Sequence, residues 1–129
     1  MLQLLKDYAA YNAWANQVLT DAILEMDEHT HQQIVKSSFP NLYATVLHMW
    51  DAESIWWQRM EGHAQLLIPS KEFNPTMKEA VNGLLNQSRE WSTWVNRVTE
   101  DQLLKEFSYK NLKGEAFHSG VWQVVHHLL

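Results

Sequence analysis

The sequence predicts an all-α fold, a four-helix bundle in one domain covering residues 1–129. Three observations predict it. Apolar residues recur at spacings of three and four through four separate segments. Glycine, proline and polar clusters separate those segments at moderate intervals. Only one stretch, shortly before the last segment, loses the helical period. Four amphipathic helices of this kind bury their apolar faces against one another.

The first helix covers roughly residues 2–26. Leu4, Tyr8, Tyr11, Ala15, Val18, Leu19 and Ala22 fall on one side of it and are expected to face the core. The polar segment Asp27-Glu28-His29-Thr30-His31 ends that pattern, and a connection runs to Phe39. The second helix starts at Pro40-Asn41, with Asn41 as its cap, and runs to Met60; Gly62 is its stop. Asn74 as cap and Pro75 at the first helical position open a third helix. Its inner row is Met77, Val81, Leu84, Ser88, Trp91, Val95 and Val98.

Thr99-Glu100-Asp101-Gln102 reads as a capping box and a short helical turn. From Lys105 to Phe117, Phe107 and Tyr109 alternate with polar residues, and Asn111-Leu112-Lys113-Gly114 can turn. A short hairpin or ordered loop is expected there. The fourth helix begins near Ser119. No stop signal follows it, and a helix of about ten residues spans only ~15 Å. The chain therefore reads as ending near the start of this helix.

Bulk properties narrow the function. Hydrophobic residues make up 46% of the 129, which excludes a disordered chain. The net charge of -5, with dispersed basic residues, argues against nucleic acid as a partner. With no cysteine there is no disulfide or thiolate metal site, which fits a reducing cytoplasm. No apolar run approaches the ~20 residues that span a bilayer, and no basic leader opens the chain. Most of the seven tryptophans fall on helical patterns and are assigned to packing.

His48 is the first residue that could carry chemistry. It lies well round from the apolar centre of the second helix (Leu42, Val46, Met49, Glu53, Trp57, Met60), on a flank shared with Ala44, Ala52 and Ile55. Partial burial is expected, as a hydrogen-bonded core histidine or as a metal ligand. Glu53 is a carboxylate within an apolar row and needs a partner. A histidine that it orients, or Arg59 or Arg97, would serve. His126 points outward and His127 lies at the edge of the fourth helix's inner face; adjacent helical residues do not converge on one ion. His29 and His31 read as a solvated helix end, and His63 and His118 as loop histidines. No nucleophile elbow, phosphate loop or His-Glu-x-x-His motif is present.

Several stretches carry a resemblance. Tyr11-Asn12-Ala13-Trp14-Ala15-Asn16 resembles the opening motif of the DinB-like metalloenzymes. Leu47-His48-Met49-Trp50-Asp51-Ala52-Glu53, followed by Trp56-Trp57 and Arg59-Met60-Glu61-Gly62, resembles that family's second helix. Ser119 to His127 resembles the entry to its fourth. The resemblance spans nearly the whole chain; the order of the motifs is more specific than any one of them.

The resemblance implies an up-down-down-up bundle that binds a divalent metal, zinc or nickel, through three histidines. His48 matches the ligand on the second helix. The other two would form a His-x-x-x-His pair just after Leu129, with His127 a weaker candidate one turn before, so the metal is expected in the intact protein and not in these 129 residues alone. Glu53 would then stand behind the ligands, and Asn12, Trp56 and Trp57 are candidates for lining the pocket. The implied activity is a thiol-dependent S-transfer using a low-molecular-weight thiol, with isomerase and hydrolase relatives. A homodimer is expected, and aromatic residues in the loops point the same way. The alternative is a non-catalytic bundle that dimerises or binds a small molecule, with His48 a core histidine.

Overall fold

A computed structural model describes residues 1–129. The chain is mostly helical, with α1 (Leu2–Glu25), α2 (Glu28–Gln32), α3 (Leu42–Met60), α4 (Pro69–Glu72), α5 (Met77–Arg97), α6 (Glu100–Leu103) and α7 (Val121–Leu128). Between α6 and α7 an antiparallel hairpin pairs β1 (Glu106–Lys110) with β2 (Ala116–Gly120). No helix is long and apolar enough to cross a membrane.

The long helix α5 packs against both α1 and α3. Its inner row is the one expected: Val81, Leu84, Ser88, Trp91, Val95 and Val98 are buried. Two apolar clusters form along it. One joins Ile23, Val46, Ala80, Val81, Leu84 and Leu85. The other joins Leu5, Ala9, Trp91, Val95, Val98, Leu103 and Val125. In the second cluster Trp91 meets Trp57 and Trp94 edge to face, a favourable arrangement for aromatic rings.

The inner face of α1 departs from the expected row. Leu5, Ala9, Asn16, Thr20 and Ile23 are buried, while Leu4, Tyr8, Tyr11, Val18 and Leu19 are exposed. At 100° per residue the expected row lies roughly a third of a turn from the buried one. The physical reason is polar satisfaction. Thr20 donates its hydroxyl to the Asn16 carbonyl at 2.7 Å, and Asn16 donates to Ser88 Oγ at 3.0 Å. Hydrogen-bonded polar side chains can thus occupy an interior row that their hydropathy alone would place outside.

Helix ends follow capping chemistry. Asn41 caps α3 by accepting from the Ala44 N–H at 2.8 Å, and Gly62 follows the helix at φ 79°. The cap of α5 is Thr76, not Asn74. The Thr76 hydroxyl accepts from the Glu79 N–H while the Glu79 carboxylate accepts from the Thr76 N–H. That reciprocal box starts the helix at Met77 and leaves Asn74 outside it at φ 41°. The second box, Thr99 with Gln102, forms as expected.

Two histidines away from His48 are placed differently from expectation. His31 is buried, and its Nε2 lies 2.6 Å from the Ile23 carbonyl near the end of α1. His118 belongs to β2, opposite Ser108, and not to a loop. The expected turn holds: Asn111 Oδ1 accepts from the N–H groups of Lys113 and Glu115, with Gly114 at φ 84°.

Candidate functional site

Between the two apolar clusters lies a polar layer that ties three helices together. Glu53 on α3 is 5% exposed. Asn12 on α1 donates to its Oε1 at 2.6 Å, and Ser88 on α5 donates to its Oε2 at 2.7 Å. Asn16 reaches Ser88 behind them, and the Trp91 indole donates to the Glu53 backbone carbonyl at 3.0 Å. Both carboxylate oxygens therefore face neutral donors. Burial pushes the Glu53 carboxyl above its ordinary value, and the bonds from Ser88 and Asn12 only partly offset this. Neither Arg59 nor Arg97 pairs with Glu53, and no histidine donates to it.

His48 stands outside this layer. It is exposed, not partly enclosed, and its ring stacks on Phe39 with 4.3 Å between centroids. The stack covers one face of the ring on a residue that is otherwise exposed to solvent. On α7, His127 is exposed, and so is His126, whose ring lies 5.9 Å from that of Tyr8. Nowhere do three histidine, aspartate or glutamate side chains gather so as to hold an ion. The donors present thus do not fit the three-ligand centre that the resemblance implies. Both Glu53 oxygens are already engaged as acceptors.

The sequence pointed to Asn12 but not to Asn16 and Ser88, the other polar side chains of the layer around Glu53. Ser88 within the apolar row of α5 was the available signal. Nor did the sequence point to a cleft of about 640 Å³ between the loop after α3 and the hairpin. Arg59 and Tyr109 help to line that cleft, and the two meet only through the long connection that forms the hairpin.

A mostly helical protein with a buried carboxylate locking three helices, and with an exposed histidine on one of them, is the class that fold and site define. The DinB family model matches residues 1–102, and the chain belongs to that family. The match spans the whole polar layer and ends before the hairpin. Comparison with curated proteins and with solved structures finds no match.

Proposed function

We propose that this protein is a metal-dependent enzyme of the DinB family in which His48 is one ligand of a divalent ion, zinc or nickel. Family membership supports this reading, and the observation that carries it is the solvent-exposed His48, whose ring stacks on Phe39. In this reading the helices α1, α3, α5 and α7 form the family's up-down-down-up arrangement, in a cytoplasmic protein. Asn12, Glu53 and Ser88 hold α3 against its neighbours and so set where His48 stands. The substrate is a small molecule, and the reaction is transfer involving a low-molecular-weight thiol. A divalent ion would supply acidity there, lowering the pKa of a thiol or water. One imidazole does not hold such an ion with useful affinity, so its other donors lie outside the side chains gathered around His48.

Elemental analysis of the full-length protein purified with zinc or nickel tests the ligand assignment. Stoichiometric metal that His48→Ala abolishes is the expected result. Metal retained in full by His48→Ala, or no metal bound by the unmodified protein, would overturn it.

A second reading rests on the outer face of α1. Leu4, Tyr8, Tyr11, Val18 and Leu19 are exposed there, with Tyr11 at 63%, and none carries a charge. Such a row can meet its own copy across a two-fold axis, with the exposed Asp7 and Glu25 at its margin. We infer a non-catalytic homodimer built on that face as the alternative. Sedimentation of the pair variant Tyr11→Lys with Val18→Lys decides it: the unmodified chain sediments as a dimer and the variant as a monomer. An unchanged state in the variant sinks this reading.

A further inference from the structure

We propose that the cleft between the loop after α3 and the hairpin is a binding site for a small organic carboxylate with an apolar body. Arg59, in the last turn of α3, points its guanidinium over the Trp56 ring at 4.6 Å and the Tyr109 ring at 5.3 Å. Trp56 and Tyr109 themselves meet edge to face at 4.9 Å. The cation is thus held by two aromatic rings, one from the helix and one from β1, an arrangement that favours arginine over lysine.

No acid compensates that cation. No lysine or arginine forms an ion pair in the protein, and the one histidine–carboxylate contact joins His63 to Glu61. Arg59 Nε is buried and without a hydrogen-bond partner. Burial also lowers the proton affinity of the guanidinium, as expected of a cation partly withdrawn from water with no counter-charge beside it. A cation with no acceptor or counter-charge beside it is costly, and an anion that reaches the terminal guanidinium nitrogens, which unlike Nε are not buried, relieves that cost.

The surroundings select the acceptor. The cleft holds about 640 Å³, within the usual range for small-molecule sites. Arg59 and Lys110 line it and none of its 13 lining residues is acidic, although the chain as a whole carries a net charge of -5; His63 also lines it and pairs with Glu61 outside the lining. A concave surface with one sign of charge concentrates ions of the other sign. Ser108 and Asn111 add polar groups, while Leu66, Ile68 and Leu112 supply apolar wall. The planar guanidinium fork suits a carboxylate, and the apolar wall suits a hydrocarbon body more than a bare inorganic anion. Arg59 lies eleven residues beyond His48 on the same helix, about 16 Å along its axis. The site therefore does not depend on the metal reading.

Titration of the full chain with phenylacetate, followed by tryptophan fluorescence and calorimetry, tests it. Saturable binding is expected. The neutral isostere 2-phenylethanol and inorganic phosphate should each bind at least about tenfold more weakly, as should phenylacetate to Arg59→Gln. Arg97→Gln, remote from the cleft, should match the unmodified chain. Leu112→Glu provides a second route if Arg59→Gln unfolds: Leu112 is 66% exposed, so the change spares the core while placing an acid in the cleft wall. It too should weaken binding about tenfold. Unchanged affinity in a folded Arg59→Gln or in Leu112→Glu overturns the proposal. So does equal affinity for 2-phenylethanol or phosphate, or a lack of saturation by about 10 mM, a concentration above even millimolar affinity.

Discussion

Ser88 donates its hydroxyl to Glu53 Oε2 at 2.7 Å, deep in the interface between α5 and α3. The Glu53 carboxylate is buried there with neutral donors and no cation. Its folded value therefore lies above the ordinary 4.5, with burial as the leading cause. A raised acid favours the folded state most when protonated. The stability linked to Glu53 is fully present below 4.5 and is lost as pH rises through the folded value. Glu53→Gln removes the titration. The stability of Glu53→Gln relative to the unmodified protein should therefore increase with pH from 4.5 upward, then level off. Each unit by which the folded value is raised adds about 1.4 kcal/mol to that difference. Urea denaturation at a series of pH values measures it, and a difference that stays flat above 4.5 would refute the assignment. Asp27 and Glu79 act in the opposite direction, because hydrogen bonds from Thr30 and Thr76 lower their values. Their contributions are lost as pH falls through those lowered values, and they cancel in the comparison.

Truncating the same residue should act differently. Glu53→Ala leaves the Asn12 amide and Ser88 hydroxyl without their acceptor inside a packed layer. An unmet buried donor costs about 1–3 kcal/mol, and the lost volume adds to that. The expected order of stability at neutral pH is Glu53→Gln above Glu53→Ala by at least about 2 kcal/mol. Equal stability of the two variants would mean that the layer does not hold the helices together.

How far the sequence revealed this arrangement varies by residue. The inner row of α5 was readable because its apolar residues outnumber Ser88, so the helical period dominates. Helix ends were readable where a side chain caps locally, as at Asn41 and Thr99, and misread at Asn74 because Thr76 completes a reciprocal box two residues later. The face of α1 was misread because hydropathy scores a side chain alone. Asn12, Asn16 and Thr20 lie inward because partners on α3, on α5 and in the α1 backbone meet their polar atoms. Those partners are up to 72 residues away in the chain. Glu53 was recognised as needing a partner, but two neutral donors on separate helices leave no local signature. The cleft around Arg59 was illegible for the same reason, since Tyr109 reaches it across the whole of α4, α5 and α6.

Gly83 illustrates a contact that reverses a general rule. Glycine within a helix usually costs about 1 kcal/mol relative to alanine. A Cβ added at Gly83 would lie 2.3 Å from Cε2 and Cζ2 of Trp50, well inside contact distance. The indole lies directly on the backbone of α5 and also stacks with Phe73. Gly83→Ala should therefore destabilise the protein by about 1–3 kcal/mol, the usual cost of overpacking. In a Trp50→Ala background the clash is gone, and the same change should stabilise by about 1 kcal/mol. A double-mutant cycle from thermal or urea unfolding shows the change of sign; the same effect in both backgrounds would remove Trp50 as the cause.

His31 ties the short α2 to the end of α1. Its Nε2 lies 2.6 Å from the Ile23 carbonyl, which also accepts from the Met26 N–H. The carbonyl lies in the last turn of α1, where acceptors lack helical partners. Asp27 caps α2 by accepting from the Thr30 N–H, so cap and histidine together turn the chain back on the helix that it leaves. Replacing His31 by leucine keeps an apolar side chain in the buried position but removes the donor. Because Met26 still serves the carbonyl, the loss should be about 1 kcal/mol, near the net value of one hydrogen bond. The loss should be local. Amide exchange is expected to speed up over Ile23–Gln33 while the Ser88–Val95 segment of α5 keeps its protection, since local opening and global unfolding are separable. Faster exchange throughout α5 would show that His31 supports the core itself.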